Sequence, residues 1–128
     1  MTREEFDAYC ASLTATTNVI QWGNASVWKV GGKIFAICSN WGEDVEDKET
    51  GKLGIKISFK VSDLAFEVLP DQEDIIPAPY LARAKWVQLE SMDAMDDEEI
   101  KSHIDAAHEI IGRKLTKKLQ KELGLSWA

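Results

Sequence analysis

Ala25-Ser26-Val27-Trp28-Lys29-Val30-Gly31-Gly32-Lys33-Ile34-Phe35-Ala36-Ile37-Cys38-Ser39 is the stretch that decides the fold. Two runs rich in β-branched and aromatic residues flank a Gly-Gly pair, and glycine supplies the positive φ angles that a two-residue hairpin turn needs. The turn also sets a register: Val30 opposite Lys33, Lys29 opposite Ile34, Trp28 opposite Phe35 and Val27 opposite Ala36. That register predicts one face carrying Trp28, Phe35 and Ile37 into the core. The other face carries Val27, Lys29, Ile34 and Ala36.

On the N-terminal side of the hairpin, Thr2 and Glu5 form a capping-box pattern, and Phe6, Tyr9, Cys10 and Leu13 recur at helical spacing. A short strand is predicted from Val19 to Trp22. On the C-terminal side lies a loop, Asn40 to Leu53, carrying Glu43, Asp44, Glu46, Asp47 and Glu49. Gly54 to Lys60 alternates, with Ile55, Ile57 and Phe59 facing one way and Lys56, Ser58 and Lys60 the other, which is a half-buried strand. Ser62 caps a second helix with Leu64, Ala65, Val68 and Leu69 on its buried side, stopped by Pro70. Ile75 to Tyr80 contains Pro77 and Pro79 and so reads as an edge strand. Trp86 to Glu90 is a last strand, with Val87 and Leu89 inward.

The final helix is predicted from about Asp97 to about Leu123. Asp96 and Glu99 form its capping box, and Met95 and Ile100 its hydrophobic staple. Ile100, Ile104, Ala107, Ile111, Leu115 and Leu119 trace one apolar stripe, and Gly124 follows at the C-terminal cap. Arg113, Lys114, Lys117, Lys118 and Lys121 fill the last turns, where a helix dipole favours cations. This order of elements predicts an α+β fold: a two-layer sandwich, an antiparallel sheet with helices on one face. The 128 residues fit one domain, 1–128.

Composition narrows the partners. With 45% hydrophobic and 29% charged residues the chain is an ordinary globular one. Its formal net charge of −7 is the wrong sign for a domain whose whole surface grips phosphates, so any such contact requires lysines gathered locally. Cys10 and Cys38 stand in no metal-ligand spacing and read as two buried thiols in a reducing compartment. The polar N-terminus does not read as a signal peptide, and no apolar run approaches the ~18 residues that span a bilayer. A soluble cytoplasmic protein is expected, with no membrane partner.

The hairpin Val27–Ala36, the strand Ile55-Lys56-Ile57-Ser58-Phe59-Lys60, the stretch Tyr80-Leu81-Ala82-Arg83-Ala84-Lys85-Trp86-Val87 and the final helix, in that order and spacing, resemble the MmcQ/YjbR family over nearly the whole chain. The resemblance implies a small bacterial α+β domain whose paired hairpins form a "double wing", and a DNA-binding role. Many relatives carry Ser-Tyr in the middle of the last helix where this chain has Ala107-His108, so nothing tied to that tyrosine carries over.

Strand parity supplies the candidate site. If Trp28, Phe35, Ile55, Ile57 and Phe59 face the helices, then Lys29, Lys56 and Lys60 share the opposite, open face. Trp86 joins them, Arg83 and Lys85 lead into its strand, and Lys33 flanks the hairpin tip. Lys29, Lys33, Lys56, Lys60, Arg83, Lys85 and Trp86 are therefore the nucleic-acid-binding candidates, a basic surface with an aromatic platform.

No nucleophile motif, phosphate-binding glycine loop or dinucleotide fingerprint occurs. The acidic loop lacks the ligand ladder of an EF-hand. His103 and His108, five apart, fall on different sides of a helix and make no joint metal site. No catalytic residue, metal or cofactor is assigned. The expected function is a non-enzymatic binding module with DNA as ligand. The alternatives are a protein-interaction domain using the open sheet face or the tail with Leu125 and Trp127, or an enzyme acting on a small anion near Trp86.

Overall fold

The computed structural model describes residues 1–21, 25–39, 56–91 and 94–125. The acidic loop 40–53, the strand ends at Trp22, Gly54 and Ile55, and Trp127 lie outside them. Along the chain run helix α1 (Arg3–Ser12), strands β1 (Thr16–Gln21), β2 (Ala25–Val30), β3 (Lys33–Ser39) and β4 (Lys56–Lys60), helix α2 (Asp63–Val68), strands β5 (Ile75–Pro77) and β6 (Trp86–Leu89), and helices α3 (Asp97–Gly112) and α4 (Lys117–Glu122). The strands form one sheet in the order β1-β2-β3-β4-β6-β5, every neighbouring pair antiparallel. The fold is the expected α+β sandwich.

The hairpin turn sits at Gly31 and Gly32, with φ +57° and +83°. Val30 pairs with Lys33 and Lys29 with Ile34, as the turn dictates. Beyond them the register shifts: Trp28 pairs with Ala36 and Val27 with Ile37, leaving Phe35 as an extra residue on β3. This β-bulge corrects the expected parity, because an inserted residue reverses the alternation beyond it. Phe35 and Ala36 both join the helix-covered core, while Ile37 goes to the opposite face beside Val27.

On the helix-covered face, Trp28, Val30, Phe35, Cys38, Ile57, Phe59, Val87 and Leu89 pack under Phe6 and Cys10 of α1 and Ile100, Ile104, Ala107 and Ile111 of α3. The expected capping box forms at Thr2, where Thr2 and Glu5 exchange hydrogen bonds, and at α3 its first half does, the Asp96 carboxylate accepting the Glu99 N–H. Met95 and Ile100 are both buried. The Asp7 carboxylate ties α1 to the sheet, accepting from Ser26 Oγ (2.6 Å) and Trp28 Nε1 (2.9 Å). In α2 the expected buried side holds for Ala65 and for Leu69 just beyond it, and is corrected at Leu64 and Val68. Ala65 and Phe66 pack on the core, and Leu64 and Val68 are exposed.

Across β2, β3, β4 and β6 the opposite face is also buried, which corrects the expectation of an open sheet, while Val19 of β1 on that face stays exposed. Ala25, Val27, Ile37, Ala78 and Trp86 form a second apolar cluster, with Ile34 and Leu81 against it. Part of the cover comes from the β5–β6 connection, through Ala78 and Leu81.

The final helix is two helices. α3 stops at Gly112, and Thr116 takes an extended conformation (φ −61°, ψ 152°) in which its hydroxyl accepts the Leu119 N–H and starts α4. The bend still buries Leu115, which lies against the hairpin turn: a Cβ added to Gly31 would collide with the Leu115 side chain. Gly124 ends α4 at φ +74°, and Leu125 folds back into the core.

Candidate functional site

The pairing register decides which residues meet at the ends of the sheet. β2 ends and β3 begins at the hairpin tip, β4 ends beside them at Lys60, and Lys60 pairs with Trp86 at the start of β6. Lys85 is locked there, since its carbonyl oxygen accepts the Val61 N–H (2.9 Å). Leu115 against Gly31 brings the end of α3 and the start of α4 to the same place. Lys60, Lys85 and Lys114 lie close enough to act on one another, and Lys33, Arg83 and the lysines of α4 belong to the same end of the sheet, with Asp63 of α2 and Glu122 of α4 as acids there.

The opposite end is acidic. The first turn of α3 holds Asp97, Glu98 and Glu99, and Asp97 pairs with the Met1 amino group at 3.0 Å. Glu4 and Glu5 open α1 there. Among the described residues, charge is thus unlike at the two ends, with acids at the start of α1 and α3 and lysines around the hairpin tip.

The seven expected contact residues fare differently. Lys33 is exposed at the hairpin tip, Arg83 is exposed in the β5–β6 connection, and Lys29 is half-buried beside the tip. Lys56 lies at the acidic end, 3.0 Å from Glu90, so it does not join the others. Trp86 is only 4% exposed and cannot serve as a stacking platform.

Lys60 is also buried, its Nζ donating to the Ala84 carbonyl oxygen. Its ammonium is held below the ordinary lysine range, first by burial and then by the like charges of Lys114 and Lys85, with Asp63 pulling the other way. A cation in that position is stabilised by any anion that reaches the lysines around it. Lys85 itself is half-buried, its Nζ lying 4.9 Å from the centre of the Phe66 ring.

The helix break changes the meaning of the C-terminal lysines. As the last turns of one long helix they would complement its dipole. Instead Lys117 and Lys118 occupy the first turn of α4, where the dipole opposes cations. Among the described residues, the salt bridges draw on Met1, Lys56, Lys101 and Arg113. None engages Lys33, Lys85, Lys114, Lys117, Lys118 or Lys121.

Sequence reasoning weighed the cluster from Arg113 to Lys121 as a second phosphate-binding patch and set it aside as dipole complementarity, because the apolar stripe runs unbroken through Leu119. The signal of the break lay in Gly112 followed by Thr116, a helix-ending residue and then a capping one. Tyr80 was missed. Read as the end of a strand, it stands in the β5–β6 connection, 96% exposed.

Other candidate chemistry is weaker. An open recess of about 340 Å³ between α1 and α3 is lined by Glu5, Ala8, Tyr9, Ser12 and Lys101. Tyr9 donates to Asp105 Oδ1 at 2.6 Å, and burial together with that carboxylate pushes the phenol up to about 12. It therefore stays protonated and is no base at neutral pH. His103 stacks on Phe59, and His108 meets the edge of Phe35 with Nε2 2.8 Å from the Thr14 carbonyl oxygen. Both imidazoles pack on the sheet. Burial raises the thiol of Cys10, and that of Cys38 to about 12, so neither is a thiolate at neutral pH. The described residues hold no cluster of metal ligands, and no helix among them is long and apolar enough to cross a membrane.

The YjbR family model matches residues 11–110. Among solved structures, a Deinococcus radiodurans protein with a DUF419 domain superposes with a TM-score of 0.79 at 21% identity, covering 98% of this chain and 89% of that one. A Pseudomonas syringae protein gives 0.67 at 19% identity, covering 87% and 99%. At such identities the likeness establishes a common fold. No curated protein matches the chain in sequence.

Proposed function

The chain belongs to the YjbR family, and from that premise we propose that it is a non-enzymatic binding module that takes DNA on its basic end. One observation carries the reading: the lysines around the hairpin tip, the start of β6 and the start of α4 converge, and among the described residues none of them forms a salt bridge. Like-charged side chains held together repel one another, and a polyanion removes that repulsion while releasing its own counterions. Duplex DNA, with a charge every ~1.7 Å along its axis, is the polyanion that several separated lysines can engage at once.

The rival readings find less support among the described residues. The sheet face that would have met a protein partner is filled by the second apolar cluster, and Leu125 of the tail is buried in the main core. For an anion groove at Trp86, the ring itself is covered and offers no surface to a ligand.

The test is a titration of labelled duplex DNA at two salt concentrations. For about four to six phosphate contacts the affinity falls by up to roughly 10²–10³-fold between about 50 and 200 mM salt. Reversing Lys33 and Lys118 to Glu, both exposed, weakens binding and lowers the salt slope by about 2. Lys101→Glu, toward the acidic end, has a smaller effect. Absence of binding by the unaltered protein at low salt, or an equal loss from Lys101→Glu, refutes the reading.

A further inference from the structure

The β5–β6 connection holds two non-glycine residues in the left-handed conformation, Tyr80 (φ +68°) and Lys85 (φ +62°). Such angles are uncommon outside glycine and persist where surrounding structure imposes them. For Lys85 the fold supplies a reason. Its N–H donates to Ala82 O, its carbonyl oxygen accepts from Val61, and its Nζ reaches the Phe66 ring.

For Tyr80 the reason lies in what the turn achieves. Ala78 donates to Trp86 O and Leu81 donates to Ala78 O, so the chain is pinned on both sides. Ala78 and Leu81 point into the second apolar cluster. The residue between them, after Pro79, is turned outward, leaving a whole aromatic ring 96% in water. Hydrophobic burial gains nothing from this arrangement.

Five positions along the same connection from Tyr80 lies Lys85, with exposed Arg83 between them. Lys60 reaches the connection from β4 through its bond to Ala84 O. An exposed ring held by a short, pinned connection beside several cations is the combination by which proteins grip unpaired nucleotides, the ring meeting a base and the cations the phosphates. The bases of a duplex are stacked on one another and closed to it.

We propose that Tyr80 is a stacking platform for an unpaired base, and that the basic end takes single-stranded DNA with Arg83 and Lys85 on the flanking phosphates. This rests on the DNA-binding reading above and adds to it which form of the nucleic acid the site prefers. The aromatic assigned to Trp86 on sequence grounds is thereby replaced by one that solvent and ligand can reach.

The experiment compares a labelled oligothymidine, the same strand lacking its bases, and a duplex of equal length, by fluorescence anisotropy at low salt. Tyr80→Ala weakens oligothymidine binding about 5- to 150-fold, and leaves the base-free strand and the duplex unchanged. Tyr80→Trp keeps or tightens oligothymidine binding. Since a ring in water contributes little to folding, both variants retain the urea midpoint of the parent, which is measured alongside. Binding of oligothymidine that is indifferent to Tyr80→Ala, or an equal loss on all three ligands, overturns the stacking proposal while leaving the basic end as a DNA site. Failure of the unaltered protein to bind any of the three overturns both.

Discussion

Gly31 is where the hairpin meets the C-terminal helices, and replacing it tests the fold at the point that assembles the basic end. Two separate penalties attend Gly31→Ala. A side chain at φ +57° costs about 1–2 kcal/mol. The added Cβ also collides with Leu115, and overpacking of this kind costs about 1–3 kcal/mol. The Leu115 methyls can yield somewhat, so the sum is about 2–4 kcal/mol.

Gly32→Ala is the natural control. Gly32 has φ +83°, but nothing lies within 4 Å of where its Cβ would stand, so only the backbone penalty of about 1–2 kcal/mol applies. With a urea dependence of roughly 2 kcal/mol per molar, Gly31→Ala lowers the unfolding midpoint by about 1–2 M, and Gly32→Ala by about half that. A double-mutant cycle isolates the contact. Shortening the buried Leu115 to Ala costs about 2–5 kcal/mol alone, yet it makes room for the new methyl, so the two changes combine to less than their sum by about 1–3 kcal/mol. Equal midpoints for the two glycine variants, or strict additivity in the cycle, would refute the docking of Leu115 on the turn.

Two further outcomes follow from side chains that hold the helices on the sheet. Asp7→Ala removes the acceptor of Ser26 Oγ and Trp28 Nε1, leaving the indole N–H of a buried residue unpaired. A loss of about 2–4 kcal/mol in urea unfolding is expected, and an unchanged midpoint would mean that the carboxylate does not fasten α1. His103, stacked on Phe59, is held below its ordinary value first by burial, against an opposing pull from Glu99. Below about pH 6.5 the unfolded chain takes up a proton that folded His103 refuses, so its contribution falls as pH drops through that value toward the folded one and is constant above it. His103→Phe gains stability relative to the parent on going from neutral to mildly acidic pH, measured as the difference between their urea midpoints, and a difference independent of pH excludes this role for His103.

Local chemistry explains which parts of the fold were legible. The Gly31-Gly32 turn, the caps at Thr2 and Asp96 and the Val87/Leu89 alternation each depend on residues a few positions apart. The bulge does not. Phe35 is inserted because the sheet must place Phe35 and Ala36 together against the helices, a demand of packing that no window around the turn contains. Parity counted from the turn was therefore right for Lys29 and Ile34 and wrong for Ile37. The burial of Lys60 and Trp86 was illegible for a similar reason. Their face was assigned correctly, but part of its cover, Ala78 and Leu81, comes from another segment of the chain. In the final helix two signals competed. The stripe through Leu119 argued for continuity, and Gly112 with Thr116 argued for a break. The break prevailed because Leu115 can still be buried after it, against Gly31.

That break also alters what net charge says about this protein. A single helix would have absorbed Lys117 and Lys118 into its own dipole, and −7 would have stood as the dominant electrostatic fact. With α4 starting at Lys117, those charges lack a structural purpose within their helix. The acids of α3 sit at its far end, 16 residues away, or about 24 Å at 1.5 Å per residue. The Debye length at physiological salt is about 8 Å, so the acidic end is screened at the hairpin tip by several lengths while the lysines there act at contact. At low salt, where that length grows to about 30 Å at 0.01 M, the acidic end does reach a ligand on the tip and repels it. Added salt therefore weakens the local contacts and screens this repulsion at once. On the DNA-binding proposal, the salt slope is then shallower than the 0.9 per phosphate contact of a uniformly basic protein, and it steepens toward that value when acids of the α3 first turn, Glu98 and Glu99, are neutralised.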